Sequence, residues 1–114
     1  MAAIYTPGGL QVIVGKNARE NDRLWQSASV RDLWFHASGF AGAHVVLRIP
    51  SLDSSDPSDE CKLFAARLAW DHSKGIASNK RPVVDSCLCC DLRKPRGATP
   101  GSVLLPEGHA VYKM

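Results

Sequence analysis

The chain has 114 residues, a formal net charge of +3, 22% charged residues and 45% hydrophobic ones. That suits one soluble domain over residues 1–114 with a single core, and it excludes wholesale disorder and division into two domains. No apolar run approaches the ~18 residues of a membrane span, and the amino terminus lacks a charged segment followed by an apolar stretch, so neither a membrane partner nor a signal peptide is expected.

In chain order, the turn signal Thr6-Pro7-Gly8-Gly9 precedes Leu10 to Val14, an apolar run rich in β-branched residues that predicts a strand. Asn17 is a helix N-cap with Glu20 three residues on as its capping-box partner. Asn21, Leu24, Trp25 and Ala28 follow at helical spacing and predict two to three turns that bury Leu24 and Trp25. Two short strands, 32–36 and 44–48, flank a loop of small residues. Pairing them with His36 opposite His44 sets Trp34 opposite Val46 and Asp32 opposite Arg48 on one face. Leu33, Phe35, Val45 and Leu47 then share the other face, fit for a core.

Pro50 to Asp59 reads as an exposed loop. A second helix is expected to start at Asp56 as N-cap with Pro57 in the first turn, its apolar stripe being Cys61, Phe64, Ala65, Leu68, Ala69 and His72, and to stop at Gly75. Val83 to Leu92 predicts a nearly central strand. The loop 93–101 carries Arg93, Lys94 and Arg96 between prolines and glycines, and short strands are expected at 102–105 and 110–113 around the turn Pro106-Glu107-Gly108. The order gives an α+β fold: a mixed, mainly antiparallel sheet with two main helices packed on one face.

Charge is unevenly placed. Residues 49–73 hold two basic and five acidic side chains, whereas residues 74–114 hold seven basic and three acidic ones. A positive end beside an acidic segment suits an anionic partner, of which nucleic acid is the commonest. Three of the four cysteines, Cys87, Cys89 and Cys90, crowd into one predicted strand, unlike a disulfide framework. This suggests a reduced, cytoplasmic setting, an organelle such as the chloroplast remaining open. As C-x-C-C inside a strand they read as small buried hydrophobes, with zinc or redox chemistry the weaker alternative.

Four blocks in order, VGKNARENDRL at 14–24, DLWFHASGFAGAHVVLR at 32–48, AARLAWDHSK at 65–74 and RKPRGATPGSV at 93–103, resemble the NFACT-R domain. This RNA-binding module sits at the centre of the NEMF and bacterial fibronectin-binding-type proteins of ribosome-associated quality control and also occurs as a stand-alone protein. The resemblance implies an α+β domain with no catalytic activity or cofactor of its own, binding ribosomal or transfer RNA. It points to Asn17, Asn21, Asp22, Asp32, Trp34, His36, Gly42, His44 and Arg48, and to Ser73, Lys94, Gly97, Pro100 and Gly101. The larger members' amino-terminal domain, helix-hairpin-helix and coiled coils have no counterpart here. The expectation is therefore a domain that does not by itself recruit a transfer RNA and extend a nascent chain; separately, a monomer is expected.

The candidate RNA contacts are the basic loop Arg93, Lys94 and Arg96 with Lys80, Arg81 and Arg48 for phosphates, and His36, His44, Trp34 and Asn21 for bases or riboses. Asp32 is expected to pair with Arg48 rather than meet RNA, since a free carboxylate repels phosphate. Two alternatives remain. One is a small RNA-modifying or RNA-cleaving enzyme using His36 and His44, although a third neutral ligand for a metal is missing. The other is a protein-interaction domain docking on a ribosomal or quality-control partner.

Overall fold

A computed structural model describes residues 3–50 and 55–114. Its strands are β1 (Ala3–Tyr5), β2 (Val12–Val14), β3 (Leu33–Ala37), β4 (Val45–Leu47), β5 (Val83–Leu88) and β6 (Ala110–Lys113), and its helices α1 (Ala18–Gln26) and α2 (Asp59–Asp71). The strands form one sheet in the order β1-β2-β4-β3-β5-β6, every pair antiparallel. Trp34 lies opposite Val46 as the hairpin pattern predicts, and the β2, β4 and β3 strands at the centre are buried on both faces.

The helices lie on opposite faces, which corrects the one-face expectation. α2 covers Val12, Val14, Phe35, Val45, Leu47 and Val84 with Cys61, Ala65, Ala66, Ala69 and Trp70. On the other face, Leu24 and Trp25 of α1, with Ala28 just beyond it, pack on a cluster of Trp34, Val46, Cys87, Cys89 and Leu92, joined by Val103 and Leu105. Chain direction explains this. β2 and β3 run parallel with β4 between them, and β4 and β5 run parallel with β3 between them. Both helical crossovers therefore step the same way along the sheet but leave from strands of opposite direction. Two right-handed crossovers must then use opposite faces.

Boundaries shift where local signals compete. Asn17 does cap α1, its Oδ1 accepting from Glu20 N at 2.9 Å, while Glu20 Oε1 accepts from Lys16 N at 2.7 Å. α2 begins two residues later than expected: Ser58 is the N-cap, accepting from Cys61 N at 3.2 Å, and Asp56 instead pairs with Arg31 at 2.7 Å. The buried stripe of α2 includes Ala66 and Trp70 rather than Phe64 and His72, which are exposed. β5 gives way to a 3-10 turn at Cys89–Asp91, and residues 102–105 make only an isolated bridge from Leu104 to Arg93. The expected loop at residues 51–54 lies outside the described residues.

Candidate nucleic-acid interface

At one end of the sheet four separated segments converge on an open cleft of about 650 Å³. Its walls come from the β2-to-α1 junction (Gly15, Lys16, Asn17, Ala18, Asn21), the β3-to-β4 hairpin (His36, Ala41, Gly42, Ala43, His44), the end of α2 (His72, Ser73, Lys74) and the tip of the basic loop (Pro100, Gly101). Eight of the positions that the resemblance singled out line it: Asn17, Asn21, His36, Gly42, His44, Ser73, Pro100 and Gly101.

Backbone hydrogen bonds stitch these walls together. Gly15 N donates to His44 O at 2.9 Å, Ala43 N to His72 O at 3.0 Å, and Lys74 N to Ala41 O at 2.8 Å. The buried Asn21 adds a cross-brace, its Oδ1 accepting from His44 N at 3.1 Å. Two glycines are there for lack of a side chain. A Cβ on Gly42 would sit 2.6 Å from Ser73 Cβ, and one on Gly15 would collide with Asn21 Oδ1. Ser73 Oγ is itself committed, donating to Trp70 O at 2.6 Å and accepting from Gly75 N at 3.1 Å.

The basic loop is pinned by a half-buried strut. Lys94 Nζ donates to Asp22 Oδ2 at 2.8 Å, Thr99 O at 2.9 Å and Ser102 O at 2.8 Å, using all three of its protons. Asp22 Oδ2 also accepts from Gly101 N at 3.0 Å, which sets Gly101 against α1. Burial raises the Asp22 pKa, but the hydrogen bonds from Lys94 and Gly101 outweigh it and hold the carboxyl below its ordinary value.

Two imidazoles meet at the cleft, with ring centroids 5.1 Å apart. Burial lowers the His36 pKa despite the opposing pull of Asp85, its cross-strand neighbour on β5. Burial, then the neighbouring His36, pushes His44 down to about 4. Both are neutral at pH 7 and supply no imidazolium to protonate a leaving group, which weakens the acid-base pairing the sequence suggested. His44 is 2% exposed, and its Nδ1, like Trp34 Nε1, has no hydrogen-bond partner among the described residues. Nor does any group of three or more His, Cys, Asp or Glu among the described residues suit a metal ion.

The remaining candidates are scattered. Trp34 is 1% exposed, stacked on His36 and edge-on to His44, so it offers no face to a base. Lys94 is consumed by its strut, and Arg93 Nη1 donates to Cys90 O at 2.8 Å and Leu92 O at 2.9 Å, tying down the 3-10 turn. Arg96 is exposed in mid-loop. Lys80 and Arg81 are exposed beside the hairpin, Lys80 Nζ lying 6.0 Å above the Phe40 ring. Arg48 lies four residues along the chain from His44, about 13 Å away, in a different concavity with Ser29 and Asp32. Its Nε is 3.8 Å from Asp32 Oδ2, but the buried Asp32 is held more closely by Ile49 N at 2.8 Å and Ser29 N at 2.9 Å. It is first a backbone brace and only then an ion-pair partner.

The cysteines are structural in their surroundings. Burial, then Asp91, pushes the Cys87 thiol up to about 12; burial also raises Cys89, and Cys90 alone of the three is exposed. What sequence reasoning missed is Lys16, which together with Lys74 gives the cleft its positive charge; no carboxylate lines it. Lys16 precedes the N-cap of α1 and Lys74 opens the 3-10 turn Lys74–Ala77, far apart in sequence, so only the fold joins them.

Comparisons agree with this architecture. Residues 2–110 match the family described as the NFACT protein RNA binding domain. The Rqc2 homolog RqcH of Bacillus subtilis is 37% identical over 105 residues, 91% of this chain and 17% of that protein. The Rqc2 homolog RqcH of Streptococcus suis is 43% identical over 101 residues, 88% of this chain and again 17% of the relative. Among solved structures, the C-terminal part of the fibronectin/fibrinogen-binding protein from Streptococcus suis superposes with a TM-score of 0.83 at 38% identity, over 96% of this chain and 43% of that one.

Proposed function

The chain belongs to the family of the NFACT protein RNA binding domain, and we propose on that footing that it is an RNA-binding module for ribosomal or transfer RNA, serving ribosome-associated quality control in the cytoplasm. The observation that carries the reading is the cleft, where Lys16 and Lys74 from separate elements flank neutral polar groups and no carboxylate intrudes. Lys80 and Arg81 extend the positive surface past the hairpin, whose residues 37–47 contain no acidic side chain. Phosphates meet these exposed cations, and affinity follows the release of their counterions. We assign the domain no catalytic step. It spans 17% of the curated relatives it matches, and we assign it neither transfer-RNA recruitment nor chain extension on its own. No helix among the described residues is long and apolar enough to cross a membrane.

The test is fluorescence anisotropy with transfer RNA and a single-stranded RNA between about 50 and 200 mM salt. Log affinity is expected to fall linearly with log salt, and Lys16→Glu or Lys74→Glu to weaken binding and flatten the slope by about one unit each. Absence of binding at the lowest salt would end the proposal.

A further inference from the structure

We propose that the cleft is a single-nucleotide pocket: it takes one unpaired base out of the RNA, with the attached phosphate on Lys16 and Lys74. The inference rests on the RNA-binding reading and specifies the form of RNA recognised. Three observations carry it. The cleft is an open concavity of about 650 Å³, a volume within the range of small-ligand sites. Its walls are braced to one another by main-chain hydrogen bonds, so the concavity exists before RNA arrives. Its charge is at Lys16 and Lys74, both exposed, whereas the deeper polar groups are neutral.

Those neutral groups have the character a base edge requires. Asn21 gives its Oδ1 to the His44 amide, which leaves the two Nδ2 protons as donors. His36 is partly exposed at the cleft, and a neutral imidazole keeps one ring nitrogen as an acceptor. His72 presents an exposed ring on the wall, and Ala41 and Pro100 provide apolar surface. A donor and an acceptor beside apolar surface match the edge and face of a base, and the lysines match its phosphate. A stacked duplex cannot fill such a pocket without first extruding a nucleotide.

The probe is adenosine 5′-monophosphate, titrated into the whole ¹⁵N-labelled chain, with inorganic phosphate in parallel. The nucleotide is expected to shift the amides of Lys16, Asn21, Ala43 and Lys74, and phosphate only those of the lysines. Single-stranded RNA is expected to bind roughly tenfold more tightly than a duplex of equal length, a factor within the range of one stacked base. Ala41→Phe, at an exposed position on the cleft wall, is expected to abolish that preference with the melting temperature unchanged. Phosphate and nucleotide giving identical shifts, or equal affinity for the two RNA forms in the wild-type chain, would overturn the pocket and leave RNA binding standing. Absence of binding to either RNA would overturn both. The wild-type titrations decide the matter even if Ala41→Phe fails to fold.

Discussion

Lys94 shows how a residue's chemistry can be read correctly and its role misread. A lysine in a glycine- and proline-containing loop looks like a phosphate contact, yet its ammonium is bonded to Asp22, Thr99 and Ser102. Lys94→Ala should cost about 1–3 kcal/mol by leaving Asp22 underpaired, measured by urea denaturation. Its RNA affinity should fall without any change in salt slope, because its ammonium is paired with Asp22 rather than with a phosphate. A flattened slope would return Lys94 to the contact surface. His44 carries a second prediction at this scale. Its folded pKa of about 4 lies below the ordinary 6.5, so the unfolded chain binds the proton first. Stability is then fully present above pH 6.5 and declines as pH falls toward 4, by up to about 3 kcal/mol. His36, shifted in the same direction, adds to the decline. His44→Phe should flatten this pH dependence, and a variant with the wild-type profile would contradict the assignment.

At the scale of elements, α2 separates a true cap from a plausible one. The sequence Asp56-Pro57-Ser58 offers two N-caps, and the Asp-Pro pair is the stronger local signal. The fold uses Ser58, whose side chain accepts from Cys61 N, while Asp56 is drawn off to Arg31. Ser58→Ala should therefore lower stability by about 1 kcal/mol, whereas Asp56→Ala should remove only an exposed ion pair with Arg31, worth less than about 1 kcal/mol. Thermal melting distinguishes the two. The hairpin was legible in detail, down to Trp34 opposite Val46, since period-2 alternation fixes register once one face is buried. The α1 cap was equally legible from Asn17 and Glu20. The side on which α1 packs was not, because it depends on strand directions that no local pattern encodes.

For the whole molecule, the positions marked by the resemblance gather at the cleft and those chosen by charge counting mostly do not. Eight of the residues marked by the four blocks meet at the cleft, because each block passes through the same end of the sheet. The basic loop was chosen for its composition, but Arg93 ties down a turn, Lys94 holds the loop to Asp22, and Arg48 lies at the other end of its strand. Lys16 went unnoticed because a lone lysine before a helix cap has no signature. Two crossovers from antiparallel strands bring Lys16 and Lys74 to one rim, and a single concave site follows from that topology. The central claim is that RNA is held at this rim. Amide chemical-shift mapping of the whole chain with transfer RNA and single-stranded RNA tests it most directly. The account predicts perturbations concentrated at residues 15–18, 41–44, 72–74 and 100–101; perturbations confined to residues 93–96 or to the concavity at Arg48 would contradict it.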